Sequence, residues 1–277
     1  MATVRPLLAS DLPGLQALID RDPVMHCFVD SRVASAGVDP HRLGGEIWGY
    51  VRGSRVESAM YYGANLVPIE TTASARAAFA DRLRRQPRRC SSFVGDAEEV
   101  LDLWRQVEPA WGAAREVRGE QPVLVMDSDP EIDVDTRVRY ATLADLDALF
   151  PACVEMFTEE VGVSPLSGGG GGMYRTRVAE LVRERRALVR MVDGRVEFKA
   201  EIGAASARAC QVQGVWVSPT LRGQGLSAPG MAAVVQLARR DIASSVSLYV
   251  NSYNTAARKC YARVGFRSHG SFATVLF

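Results

Sequence analysis

One stretch of the sequence, QVQGVWVSPTLRGQGL at residues 211–226, constrains the fold more than any other. It begins with an apolar, β-branched run that predicts a buried strand, and Pro219 ends that strand because proline has no N–H to donate. Gly223 and Gly225 follow, and an alanine-rich helical segment begins after Ser227. A glycine turn between a strand and a helix N-terminus gathers backbone N–H groups at the positive end of the helix dipole. The stretch therefore predicts a site for an anion such as a phosphate group.

The composition is that of a globular protein large enough for two domains. The chain has 277 residues, of which 47% are hydrophobic and 23% charged, so sizeable cores can form. Its net charge of +1 argues against nucleic acid as a partner. Five scattered cysteines without C-x-x-C spacing and three distant histidines indicate a reduced protein without a metal site. Without a signal-peptide pattern or a long apolar run, we expect a cytoplasmic protein that does not bind membranes.

A sequence pattern occurs twice, which suggests two copies of one fold. VRPLLASDL at residues 4–12 is followed much later by VRYATLADL at residues 138–146, and each reads as a strand, a capping residue and an apolar helix. The acidic, proline-containing segment 127–133 between them predicts a linker. We therefore expect domains at residues 1–130 and 137–277.

Two motifs in the second half resemble those of the GCN5-related N-acetyltransferases, the GNAT superfamily. Arg-x-x-Gly-x-Ser at Arg222–Ser227 is close to the family's Gln/Arg-x-x-Gly-x-Gly/Ala signature, with Ser227 in place of the usual Gly or Ala. NSYNTAARKCYARVGF at residues 251–266 is similar to the family's second pattern, in which Asn is followed by Ala, a helix with Tyr, and Gly-Phe. The two motifs stand in the family's order, and the resemblance covers about residues 137–277.

The resemblance implies an α+β fold with a mixed sheet, built from two tandem GNAT-like domains that each have a mostly antiparallel sheet flanked by helices. The first half carries Ile69-Glu70-Thr71-Thr72 where the glycine turn belongs. The chain thus resembles the actinobacterial tandem proteins in which a degenerate GNAT-like half precedes a standard GNAT domain. We therefore expect one donor site, in the second half.

The resemblance also implies a co-substrate and the residues that bind it. The donor would be an acyl-CoA, first of all acetyl-CoA, without a metal. A backbone N–H of the strand that ends at Val217 would polarise the thioester carbonyl, and Tyr261 would return a proton to the departing thiolate, because a phenol stays protonated at neutral pH. The predicted cofactor-binding residues are Val215, Trp216, Val217, Arg222, Gly223, Gln224, Gly225, Leu226, Ser227, Asn254 and Ala257.

The sequence does not single out a general base. An amine acceptor has a pKa near about 10.4, so a group or a water chain must remove its proton. Gln211 and Gln213 stand on the strand where some relatives of the family carry a glutamate. Glu160 and Glu201 are the candidate catalytic carboxylates, and Glu159 is a further one.

Several alternatives remain open at this stage. The glycine-rich loop 162–172, before a helix expected from Tyr174, contains the run Gly168–Gly172 and is either a lid over the acceptor or a plain connector. The leading function is N-acetyl transfer to a primary amine of a small molecule or peptide, by direct attack in a ternary complex. The other two are acylation of a specialised metabolite, as in mycothiol synthases, and non-catalytic acyl-CoA binding. A homodimer is also open.

Overall fold

The computed structural model describes residues 2–277, which form two compact units. Unit 1 consists of the described residues up to Leu124 together with Tyr249–Asn254 and Ser268–Phe277. Unit 2 consists of Val125–Leu248 and Thr255–Arg267. Each unit combines β-sheet with helices.

Residues 2–277 form twelve strands and nine α-helices. The strands are β1 (Ala2–Pro6), β2 (Gly45–Arg52), β3 (Arg55–Gly63), β4 (Asn65–Ile69), β5 (Ser92–Asp96), β6 (Glu116–Met126), β7 (Arg139–Tyr140), β8 (Ala187–Val192), β9 (Arg195–Ala205), β10 (Ala209–Val217), β11 (Ser245–Tyr249) and β12 (Arg267–Leu276). The α-helices are α1 (Leu12–Ile19), α2 (Cys27–Ala36), α3 (Pro40–Leu43), α4 (Ala73–Leu83), α5 (Ala97–Trp111), α6 (Leu146–Val161), α7 (Gly171–Arg183), α8 (Ser227–Asp241) and α9 (Thr255–Val264).

The sheet of unit 1 has the strand order β1-β2-β3-β4-β5-β12-β6. Its neighbouring strands from β1 to β4 run antiparallel, whereas β4 and β5 run parallel. The last strand of the chain, β12, pairs antiparallel with β5 through Phe272–Leu276, and Thr274 donates a hydrogen bond to Gln121 of β6 at 2.6 Å. Residues 268–277 therefore group with unit 1, whereas the sequence placed them in a domain at 137–277, because a strand's partners do not follow from its own sequence.

The sheet of unit 2 has the order β11-β10-β9-β8-β7, with β10 and β11 parallel and the other pairs antiparallel. Its two faces are covered by different helices. Phe198 of β9 faces Gly230 of α8, while the next residue, Lys199, interacts with Glu201, which contacts Cys153 of α6. Successive residues of a strand alternate between the faces of a sheet. Thus α8 lies on one face and α6 on the other.

The repeated sequence pattern forms the same arginine–aspartate contact, here called the clasp, in each unit. Arg5 holds the carboxylate of Asp11 with two hydrogen bonds, of 2.7 and 2.9 Å, and Arg139 holds Asp145 with the same two distances. Each aspartate also accepts a backbone N–H at 2.8 Å, three residues before it. The arginine lowers the pKa of Asp11 to about 2 and also lowers that of Asp145. The predicted tandem of two mixed α/β units with mostly antiparallel sheets is confirmed.

The segment predicted as a linker has no regular structure, but it is tied to unit 2. Asp127 pairs with Arg267 and Asp129 with Arg239, and the N–H of Glu131 bonds to a carbonyl at the end of α9 at 3.1 Å.

None of the helices formed by residues 2–277 has the length and apolar character that a membrane span requires.

Candidate active site

The glycine turn of unit 2 connects β10 to α8. One 3-10 turn, Pro219–Leu221, ends the extended chain, and the exposed residues 222–225 follow. Gly223 and Gly225 have φ values of +77° and +82°, which L side chains rarely adopt, and a Cβ built on either would meet no atom within 4 Å. The backbone therefore faces open space on this side of the turn.

The N-terminus of α8 carries no side-chain cap. Its N-cap residue is Leu226, which has no polar side chain, whereas Thr72 caps α4 and Asp96 caps α5 through hydrogen bonds to backbone N–H groups. The first N–H groups of a helix have no partner within the helix. The start of α8 thus combines unbonded donors, a positive dipole end and left-handed glycines.

Arg222 fixes the turn to its surroundings. Its Nη2 donates to both carboxylate oxygens of Glu159 at 2.9 and 2.8 Å, and its Nε donates to the carbonyl of Val217 at 3.1 Å. The backbone N–H groups of Arg222 and Gln224 close onto carbonyls within the turn at 3.4 Å. Gly223 and Gly225–Ser227 are therefore the part of the predicted anion-binding stretch whose amides stay available.

A cleft opens between β10 and β11 before the chain reaches this turn. The parallel pairing covers only residues 209–211 of β10 and 245–247 of β11, although β10 continues to Val217. On the opposite edge, the register with β9 shifts between Gln213 and Trp216, which is a β-bulge. Gly214 in this bulge has a φ of +58°. Gly214 and Val215, the two residues inside this bulge, have no register partner on β9.

A buried polar cluster contacts the bulge at Gly214. Lys199 donates to Glu201 at 2.6 Å and to the carbonyl of Gly214 at 3.1 Å, and the thiol of Cys153 lies 3.6 Å from the same glutamate. Lys199 and Glu201 are both buried. Burial by itself lowers the pKa of Lys199, but the charges and hydrogen bonds of Glu201 and Cys153 together outweigh burial and raise that pKa, so the lysine stays charged.

Tyr261 lies on α9 with 8% of its surface exposed and packs edge-on against Phe266 at 5.8 Å. Burial raises the pKa of Tyr261, and electrostatic interactions with Cys260 and then Glu160 add to the increase. The pKa of Tyr174, whose hydroxyl donates to the carbonyl of Cys153 at 3.0 Å, is raised by burial and by the charges of Glu201 and Glu160. Unit 2 thus brings both tyrosines under the influence of Glu160.

The glycine run is only partly a loop. Ser167–Gly169 form one 3-10 turn, and α7 already begins at Gly171, whereas the sequence predicted a loop to Gly172 and a helix from Tyr174. Glycine costs backbone entropy inside a helix, but only Gly171 and Gly172 of the run lie in α7, and both are in its first turn. The lid role stays a prediction.

Asn254 and Ala257 lie at the second motif. The N–H of Asn254 bonds to the carbonyl of Asn251 at 2.9 Å within the segment that groups with unit 1, and Ala257 is half-buried in the first turn of α9. Their role toward a cofactor stays a prediction.

Sequence reasoning missed the bulge and Lys199. Both had a signal: Gly214 interrupts an apolar strand, which is typical of a bulge, and Lys199 and Glu201 are two residues apart in a strand, which places them on one face.

Two segments of the sequence match known protein families. Residues 179–266 match the family model described as the acetyltransferase (GNAT) family. This match spans α7 to α9 and contains both motifs singled out from the sequence. Residues 45–149 match a family described as a domain of unknown function, DUF4081. No curated protein sequence matches the chain.

Solved structures extend the likeness to both halves. A GCN5-related N-acetyltransferase from Sphaerobacter thermophilus superposes with a TM-score of 0.61 at 15% identity, covering 99% of this chain and 95% of that one. A GNAT-family acetyltransferase from Colwellia psychrerythraea gives 0.58 at 12% identity, with 99% of each chain covered. A tandem GNAT protein from the clavulanic acid biosynthesis pathway gives 0.53 at 14% identity, covering 100% of this chain and 98% of that one. At these identities the likeness shows the fold, here that of a tandem GNAT protein.

Proposed function

We propose that this protein is an N-acetyltransferase that transfers the acetyl group of acetyl-CoA to a primary amine by direct attack in a ternary complex. The observation that carries the proposal is the uncapped start of α8 behind an open glycine turn, at the end of the cleft between β10 and β11. A CoA pyrophosphate needs backbone donors with a positive local potential, and this turn offers both. The cleft has free strand edges along which the pantetheine arm would lie.

The chemical step would use the bulge and Tyr261. The N–H of Val215 is the donor that would stabilise the oxyanion formed when the amine attacks the thioester. Tyr261 would protonate the thiolate that leaves on collapse of that intermediate. Because burial raises the pKa of Tyr261, its hydroxyl keeps the proton it has to donate throughout the neutral range.

Glu160 is the better of the two candidate bases. Glu201 is buried, and its carboxylate already accepts a hydrogen bond from Lys199 at 2.6 Å. Glu160 is exposed, and its charge acts on Tyr261 and Tyr174. Its negative charge also favours a protonated amine as the approaching acceptor, which supports a cationic amine as the substrate class.

Calorimetric titration with acetyl-CoA, followed by an acetylation screen of small amines and peptides, tests the proposal. We expect one binding site per chain and release of one CoA for each amine acetylated. Two sites would mean that unit 1 also binds a donor. Absence of binding would refute the proposal, and binding without turnover on any amine would favour a non-catalytic acyl-CoA-binding protein.

A further inference from the structure

We propose that Lys199 is a positioning residue that orients the bulged peptide of β10, so that the N–H of Val215 faces the acyl carbonyl of the donor. The inference rests on the proposed function, because it concerns the oxyanion donor of that reaction. Lys199 itself does not touch the donor or the acceptor in this arrangement.

The orientation follows from the geometry of one peptide group. The ammonium of Lys199 lies on the face of the sheet that α6 covers and donates to the carbonyl of Gly214 at 3.1 Å. In a trans peptide the C=O and the following N–H point in opposite directions. A carbonyl held toward the α6 face therefore turns the N–H of Val215 away from that face, toward the side on which α8 and its proposed pyrophosphate site lie.

This peptide needs such a restraint more than its neighbours do. The register shift between Gln213 and Trp216 removes the ladder bonds that hold the rest of β10. Glycine adopts positive and negative φ with similar ease, so a peptide that follows Gly214 can rotate at little steric cost. Rotation would exchange the N–H and the carbonyl and present a negative dipole end to the oxyanion. The bond from Lys199 selects the productive orientation.

The restraint is itself rigid. Glu201 holds the ammonium at 2.6 Å, and a Cβ on Gly214 would come within 3.2 Å of the Glu201 carboxyl carbon and 2.9 Å of the Met156 methyl group. The bulge thus sits directly on the ion pair. A buried ion pair is often no more stabilising than apolar side chains of the same volume. Stability alone therefore does not account for a charged pair at this place, whereas orientation of the bulge does.

The test compares Lys199→Met, Glu201→Gln and the double variant, which removes the ammonium without leaving a buried carboxylate charge. The double variant serves if Lys199→Met fails to fold. Arg190→Met is the matched control, because Arg190 is similarly buried in unit 2 and pairs with Asp135 at 3.0 Å and Glu197 at 2.8 Å away from the bulge. For each variant, kcat, the Kd for acetyl-CoA and the infrared carbonyl stretch of bound, ¹³C-carbonyl-labelled acetyl-CoA are measured.

We expect the wild type to lower the carbonyl frequency of bound acetyl-CoA, and the variants without Lys199 to lose that shift. Loss of one oxyanion donor lowers kcat by about 10²-fold, while the Kd should stay within about threefold because the anion turn is unchanged. Glu201→Gln should keep the shift, since Lys199 still reaches Gly214, and Arg190→Met should keep both shift and kcat.

Two results would overturn the inference. If the double variant retains the carbonyl shift and the kcat of Glu201→Gln, Lys199 does not orient the bulge, although the enzyme is an acetyltransferase. If the wild type binds no acyl-CoA, the proposed function fails and the inference fails with it.

Discussion

Replacement of Tyr261 by phenylalanine tests the general acid of the proposed reaction. The Tyr261 ring is almost fully buried against Phe266, and its hydroxyl makes no hydrogen bond to any atom of residues 2–277. Phenylalanine keeps the ring and removes only that unbonded hydroxyl. We therefore expect the free energy of unfolding to change by less than about 1 kcal/mol.

The effect on turnover should be far larger. Loss of a general acid costs about 10²-fold in rate, which corresponds to about 2.7 kcal/mol of activation free energy. A thiol reagent that detects released CoA measures kcat, and calorimetry measures the affinity for CoA, which should stay within about twofold. Because burial raises the pKa of Tyr261, wild-type turnover should also show no alkaline decline from this group up to about pH 10.

Tyr140→Phe is the matched control. Its hydroxyl donates to the carbonyl of Leu237 at 3.3 Å in the same unit, so this variant should lose about 1 kcal/mol of stability and keep kcat. A Tyr261→Phe enzyme with wild-type kcat, or with a defect confined to the KM for acetyl-CoA, would refute the role of general acid.

Three further variants address the turn and the clasps. Gly225→Ala introduces a side chain at a φ of +82° and should weaken acetyl-CoA binding in calorimetry by about tenfold, whereas Gly53→Ala, at a φ of +60° in the turn between β2 and β3, should cost stability only. Glu159→Gln frees the guanidinium of Arg222, so acetyl-CoA should bind more tightly and with a steeper salt dependence; an unchanged salt slope would contradict this. Asp11→Asn should lower the urea midpoint at pH 7. The difference should vanish as pH falls from about 4 to about 2, since the arginine lowers the folded pKa to about 2 from an unfolded value of about 3.9.

Local patterns predicted much of this architecture. The strand, turn and helix around Gly223 follow from proline and glycine chemistry over a few residues, and the clasp of Arg139 with Asp145 follows from a repeated segment. Pairings between distant residues were not predictable in the same way. Whether β12 pairs with β5 depends on long-range contacts, and the contact of Lys199 with Gly214 depends on a register shift that only the assembled sheet defines.

Unit 1 has a similar strand arrangement, but it lacks the glycine turn and the uncapped helix start that make unit 2 a candidate donor site. Its parallel strands β4 and β5 also pair only briefly, at Asn65 with Ser92 and Leu66 with Phe93, before they separate. The connection from β4 to α4, however, consists of residues 70–72, which leaves no glycine turn to surround a pyrophosphate.

The charged residues at the connection between β4 and α4 also disfavour phosphate binding in unit 1. Thr72 caps α4 with its own hydroxyl, and the carboxylate of Glu99 accepts the N–H of Thr71 at 2.7 Å. Glu70 adds a second carboxylate, held by Arg21 and His26 at 3.1 Å. A phosphate would have to displace an oxygen that already occupies the backbone donor and would meet the like charge of Glu70. We therefore expect donor binding in unit 2 alone, and a second calorimetric site would show that these carboxylates move aside.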